Sequence, residues 1–400
     1  MSGVISDNTQ KGSGVIAAVA SATKSSSNPT ASTNPSTGVG TKWINTTSGE
    51  IFLCVNATAG ANKWIGQRGR QVTSSRGIWG GGSQNNSGYT TCIDYVSISV
   101  IGNAVDFGDL TGHGDPGQSA STSNGVSARG LFFGGGTSGG GYYNGISYVT
   151  ITSAGNSADF GDSAHQGRSS SMSVSNGTND RAVWCGGSIT GSHPAGPQRE
   201  FMDYVTVSSA GNASDFGDMI DERGSGASFS NGVHDRGILY GGYEGFTYNT
   251  PFEKIEYISI QSTGNGTAFG NANMVAHTAN PNGLAAVGGT SNDTNDRGIK
   301  MGGNEPAPAG KVNTIDYLNI VSLGDSMSFG TITTATGSGM CCVSDGTGER
   351  GLGAGGSTGS PSTDVNTIEY VTISTPSDAA DFGDLTEARH WHAGCSNGAE

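Results

Sequence analysis

The sequence predicts an all-β protein whose main body is a six-bladed β-propeller, preceded by a small β segment and an extended arm. Three observations carry this. Glycine supplies 69 of 400 residues and proline only 11, against average shares of about 7% and 5%. That imbalance suits tight turns and close backbone approach rather than collagen or polyproline. One pattern recurs six times at near-constant spacing. Runs with a β-branched or apolar residue at every second place recur with it, the mark of strands with one buried face.

Each repeat opens on arginine, a short apolar run and glycines: "RGIWGGG" from Arg76, "RGLFFGGG" from Arg129, "RAVWCGG" from Arg181, "RGILYGG" from Arg236, "RGIKMGG" from Arg297 and "RGLGAGG" from Arg350. The intervals are 53, 52, 55, 61 and 53 residues, the length of one four-stranded propeller blade. The glycine pairs are expected where φ is positive or a Cβ would collide. A second run follows a loop of variable length and centres on Tyr95, Tyr148, Tyr204, Tyr257, Tyr317 and Tyr370. A third holds Phe107, Phe160, Phe216, Phe269, Phe329 and Phe382, four times as "DFGD". These aromatics are expected in the wedge between adjacent sheets, where burying one is worth roughly 1.5–3 kcal/mol. A run of small residues such as "SASTSNG" precedes the next arginine and fits the narrow inner radius.

The phase of the repeat predicts how the ring closes. The first copy lacks a small-residue strand before Arg76, and the last ends in "ARHWHAGCSNGAE" with no arginine strand after it. One further interval from Arg350 falls just beyond Glu400. A strand near Ala393–Gly398 is therefore expected to pair with Gly77–Gly80, joining both ends of the ring in one blade and hiding its sheet edges.

This pattern resembles the kelch family of propellers, in which a glycine pair ends the second strand, a tyrosine-bearing strand follows and an aromatic strand leads to the next arginine. "RGLFFGGG", "ISYVTIT" and "ADFGD" play those parts here. Phenylalanine stands where the family has tryptophan in the outer strand. The likeness covers about four-fifths of the chain and extends to the kelch-like repeat arrays of bacteriophage tail or fibre proteins. It implies a virion structural component, made in the host cytoplasm and carried on the particle surface in multiple copies.

Ahead of the propeller, assigned to residues 71–400, residues 1–40 read as a flexible Ser/Thr/Asn-rich arm and 41–70 as a small β attachment module. In the module "WINTTSGEIFLCV" forms two strands about Ser48-Gly49, and Trp43 and Trp64 serve as packing anchors. A segment this short buries little core alone, so residues 1–70 are expected to dock the propeller on other virion or tail proteins. No leader-like apolar stretch opens the sequence, and no 18-residue apolar run exists to cross a membrane.

Charge and chemistry narrow the function. The net charge is −14, with 19 Lys plus Arg, and no basic stripe marks a nucleic-acid surface. Cys54, Cys92, Cys185, Cys341, Cys342 and Cys395 show no CxxC spacing and occupy different places in different repeats, which reads as unpaired thiols rather than zinc ligands or a repeated disulfide. A propeller oxidase of the galactose-oxidase kind needs a copper cluster of Tyr, His and Cys. Here His113, His165, His193, His234, His277, His390 and His392 are scattered, and only "HWH" is expected to place two histidines on one strand face. "DFGD" lacks the Ser and Trp of a sialidase box and reads as turn chemistry, with repeated Ca²⁺ binding as the alternative. No catalytic, cofactor or metal residues are assigned. The expected activity is binding of a host-surface glycan or protein through loops that differ in every copy. The aromatic loops at Tyr142, Tyr143, Tyr243, Phe246 and Tyr248 are the candidate contacts, on one face because each follows its blade's glycine run. A propeller enzyme and a passive decoration protein are the competing readings.

Overall fold

The computed structural model describes residues 22–30, 32–46, 51–60, 62–66, 75–84, 88–112, 117–137, 140–189, 199–244, 253–273, 288–305, 310–336, 339–359 and 362–398. The chain divides into two compact units, 1–73 and 74–400. In the first, Lys42–Asn45, Ile51–Asn56 and Lys63–Gly66 form an antiparallel meander. The arm expected over 1–40 is in part structured: Thr23–Ser25 adds a fourth strand, parallel to Trp43–Asn45. The arm's backbone satisfies both indoles, with Trp43 Nε1 donating to Ser27 O and Trp64 Nε1 to Thr33 O. The two rings meet edge to face at 5.9 Å. This is how so short a segment finds a core.

The second unit contains, among the described residues, six four-stranded antiparallel sheets. Blade 1 takes its innermost strand, Ala393–Ser396, from the far end of the chain and pairs it with Arg76–Gly80, Cys92–Ser97 and Val105–Asp109. Its register sets Ala393 against Gly80 and Ser396 against Gly77, as the phase of the repeat predicts. Blades 2 to 6 have innermost strands at Ala120–Ser123, Met172–Ser175, Ala227–Ser230, Gly288–Ser291 and Cys341–Ser344. Each innermost strand touches its two neighbours around the axis. Small side chains permit this, and their hydroxyls sew the ring: Ser173 Oγ donates to Ser121 O at 2.8 Å, Ser228 Oγ to Ser173 O at 2.9 Å and Ser121 Oγ to Gly394 O at 2.8 Å.

The recurring arginine is a clamp between blades. Its guanidinium lies 4.3–4.9 Å over the tyrosine ring of its own blade in all six copies. Its Nη1 donates to a backbone carbonyl at the end of the next blade's third strand: Arg76 to Ile151, Arg129 to Val207, Arg236 to Ile320, and Arg350 back to Ile98. Each tyrosine meets the phenylalanine of its blade edge to face at 5.9–6.2 Å. The phenylalanines are buried against the neighbouring blade, whereas the tyrosines, roofed by arginine, are half-buried.

"DFGD" is a second inter-blade joint. Gly108 has φ +146°, and a Cβ there would lie 2.6 Å from the carbonyl of Gly155 in the next blade. Gly155 N donates to Phe107 O at 2.7 Å, and Asp109 N donates to Asn156 Oδ1 at 3.0 Å. The same bond joins Asp162 to Asn212, Asp218 to Asn265 and Asp384 to Asn103. In these four joints the "GN" before a phenylalanine thus receives the "FGD" of the preceding blade, and Asp325 and Asp378 take the asparagine's part in the other two.

A third set of polar residues is buried. The acid one place before the tyrosine is wholly enclosed at Asp94, Asp203 and Glu256, each against an arginine four residues ahead of an innermost strand: Arg389, Arg168 and Arg223. These arginines also donate to the penultimate carbonyl of the second strand, at Trp79, Trp184 and Leu239. Blade 5 pairs Asp316 with Lys300 at 3.1 Å instead. Blade 2 has Ser147 in the acid's place. Glu369 of blade 6 accepts from the backbone N–H of Thr333 at 2.9 Å.

Candidate binding face

The loop after each glycine pair emerges on one face of the ring. The glycines themselves turn the chain, as at Gly134 and Gly135 with φ +55° and +114°. Five of these loops are two-residue ribbons, pairing Ser83–Gln84 with Gly88–Tyr89, Ser188–Ile189 with Arg168–Ser169, Tyr243–Glu244 with Arg223–Gly224, Asn304–Glu305 with Gly310–Lys311, and Ser357–Thr358 with Thr363–Asp364. In blade 2 a single bridge joins Gly136 to Tyr142. Tyr142 and Tyr143 are half-buried, and the Tyr143 hydroxyl contacts Gly112 O. Tyr142 neighbours Tyr89, whose hydroxyl is pushed above its ordinary pKa by burial and by Tyr142. Tyr243 is only 8% exposed, and its hydroxyl accepts from Asn304 Nδ2 at 2.9 Å. Its ring therefore offers little contact area. Phe246 and Tyr248 lie outside the described residues.

Sequence reasoning missed the rim of the central channel on this face. Gln118, Ser170, Ser225, Gly339 and Trp391 each stand two residues ahead of an innermost strand, and all are left-handed, with φ +60°, +54°, +58°, +66° and +55°. Their backbones run head to tail: Ser225 N donates to Ser170 O at 2.6 Å, Ser170 N to Gln118 O at 2.8 Å, Gln118 N to Trp391 O at 2.7 Å and Trp391 N to Gly339 O at 3.0 Å. The position varies in chemistry although its backbone repeats. Four of these five are not glycine, so the usual signal of a positive φ was absent. The rim surrounds a cavity of about 140 Å³, lined further by Ser119, Ser171, Met172 and Met340.

"HWH" is not a strand with two histidines on one face. The strand begins at Ala393, and Trp391 at positive φ breaks the alternation before it. His390 Nδ1 lies 2.7 Å from Asp364 Oδ1. Burial holds its pKa below the ordinary value, opposed by Asp364. His392 is fully enclosed, and burial, then Arg389 and His390, push it well below. Elsewhere His165 stacks on Phe201 at 4.4 Å and contacts Asp203 at 2.6 Å, while His234 contacts Asp296. His113, His193 and His277 fall outside the described residues. The six cysteines are unpaired, with burial raising Cys341 to about 12. No group of three or more His, Cys, Asp or Glu that could hold a metal ion occurs among the described residues. No helix among them is long and apolar enough to cross a membrane.

No protein-family model matches the chain, and no curated protein matches it. Among solved structures, one titled "Structure of YjhT" superposes with a TM-score of 0.53 at 13% identity, covering 76% of this chain and 97% of that one. At that identity the likeness speaks to the fold alone, and it agrees with the β-propeller described above.

Proposed function

We propose that this chain is a non-catalytic binding propeller of a bacteriophage particle. Residues 1–70 join it to other virion or tail proteins, and the ribbon face meets a glycan or protein of the host surface. One observation supports this reading most: the residues that repeat are used in construction, whereas the ribbon face differs from blade to blade. The arginines clamp blades, "DFGD" and "GN" form joints, and the buried acids face arginine, lysine or backbone N–H groups. What remains free to recognise a partner is a rigid platform with an uneven rim, the arrangement in which binding residues sit on variable loops. The acidic balance of −14 disfavours nucleic acid and strongly anionic polysaccharide.

The test is adsorption of particles carrying Tyr142→Ala and Tyr143→Ala together. Adsorption to host cells is expected to fall with assembly intact. Unchanged adsorption would favour a passive decoration role. Turnover of a sugar by the purified chain, whether oxidation or cleavage, would replace the binding reading with an enzymatic one.

A further inference from the structure

Five rim residues share one backbone conformation but not one chemistry, and the inequality is concentrated at Trp391. A bulky aromatic rarely occupies the left-handed region, where a residue without a Cβ is at ease. The chain places glycine at this rim position in blade 6 and tryptophan in the adjoining blade 1. The two are matched. A Cβ on Gly339 would lie 2.3 Å from Trp391 Cδ1, so the glycine makes the room in which the indole lies.

The rim also holds polar atoms without partners in the described protein. Gln118 Oε1 accepts from Ser170 Oγ at 3.2 Å, which orients the amide and leaves its Nε2 donors unused. The indole Nε1 of Trp391 and the hydroxyl of Ser225 make no hydrogen bond within the described residues. Trp391, Gln118 and Ser225 are all partly exposed and all line the same cavity. Among the described residues no Asp, Glu, Lys or Arg lines it. Arg168, Arg223 and Arg389 are enclosed behind the rim and directed at carbonyls and carboxylates.

We propose that this mouth binds one neutral sugar ring at the end of a glycan, with the indole of Trp391 as its platform and Gln118 and Ser225 bonding its hydroxyls. The proposal rests on the surface-binding reading above and gives it a site. A pyranose has an apolar C–H face and a rim of hydroxyls that both donate and accept, which matches an indole beside an amide and a hydroxyl. A nucleotide would also stack, but it brings phosphate to a rim whose described residues carry no charge, on an acidic protein. A lipid would leave the amide and hydroxyls unpaired. The cavity of about 140 Å³ is smaller than the roughly 300–1,000 Å³ of pockets enclosing drug-sized ligands, so it admits a chain terminus and not the interior of a polysaccharide.

The experiment titrates the full chain with the methyl glycosides of glucose, galactose, mannose and N-acetylglucosamine, followed by ligand-observed NMR. At least one is expected to bind. Trp391→Ala and Gln118→Ala should each weaken it about tenfold or more, Trp391→Phe less, and Gly339→Ala should weaken it by displacing the indole. Thermal melts confirm that each variant is folded. Binding of equal strength in Trp391→Ala and Gln118→Ala overturns the site, as does failure of all four glycosides to bind. Particle adsorption separates the two ideas. Adsorption lost in Tyr142→Ala/Tyr143→Ala but unchanged in the rim variants removes this site and keeps the surface-binding reading. Adsorption insensitive to either set removes both.

Discussion

Blades 2 and 3 fill the same wedge in opposite ways. Blade 3 encloses Arg168 and Asp203 completely, 2.9 Å apart, with the guanidinium 3.9 Å from the ring centre of Trp184. Blade 2 has Ser147 in place of the aspartate and, in sequence, Pro116 in place of the arginine. Both sheets form with the same register and the same bulge between their third and outer strands. A buried charge is therefore not needed to build a blade. In four blades the acid comes matched with a cation: where Leu284 stands at the arginine position in blade 5, the second strand supplies Lys300 to Asp316, while Glu369 of blade 6 takes the backbone and hydroxyl donors of Thr333 instead. The difference teaches that the pairs tie the segment entering a blade's innermost strand to that blade's own second and third strands, while enclosing an ion pair adds little net stability over an apolar filling.

The comparison breaks most visibly when a pair is halved. Asp203→Ala strands the guanidinium of Arg168 in a dry site and is expected to cost about 3–5 kcal/mol of unfolding free energy, measured by chemical denaturation. The equivalent change at Ser147 of blade 2 should cost well under half of that. If the two losses were equal, the ion pair would be no more than volume.

A sharper version uses blade 5. Lys300→Leu alone should cost about 3–5 kcal/mol by removing the cation beside the buried Asp316. Lys300→Leu with Asp316→Ser converts the blade towards the blade 2 solution and should recover at least about 1–2 kcal/mol of that loss. A double mutant no better than the single change would show that the pair does not act as a set.

The smallest effect is one of pH and belongs to blade 1, which differs from blades 3 and 4 by enclosing His392 beside its arginine. The folded protein keeps His392 neutral, under the influence of burial, Arg389 and His390, and His390 is held low by burial against the pull of Asp364. The unfolded chain protonates both near pH 6.5. Their contribution is therefore complete above pH 6.5 and is lost as pH falls below it, because the unfolded state then binds more protons. One such histidine sets a slope of at most about 1.4 kcal/mol per pH unit. Denaturation curves between pH 7.5 and 5 should lose part of this slope in His392→Leu, and an unchanged slope would point to carboxylates.

The sequence was most legible where repetition forced it. Arg76 to Arg350 gave the period, and the phase at Ala393 gave the closing strand, because a ring leaves no other partner for either edge. The partners of repeated residues were harder to read. That Arg129 reaches Val207, 78 residues on, or that Gly108 makes room for Gly155, depends on how adjacent sheets twist. Least legible was the rim. Positive φ is announced by glycine, and Gln118, Ser170, Ser225 and Trp391 adopt it because a neighbouring blade's carbonyl holds each N–H. The reading of "HWH" as a strand failed for the same reason.

The strand exchange in blade 1 also sets an order of events during synthesis. Arg76–Gly80 waits for a partner that is made more than 300 residues later. At roughly 5–20 residues per second, that is an interval of tens of seconds. Blades 2 to 6 have all four strands contiguous in sequence and can form one after another as they emerge. The three strands from 76 to 109 meanwhile keep an open inner edge, the kind of surface on which chains pair with the wrong neighbour. Once Ala393–Ser396 is in place, loosening it requires opening contacts more than 300 residues apart in sequence, so the latch that closes last also governs how slowly the ring comes apart.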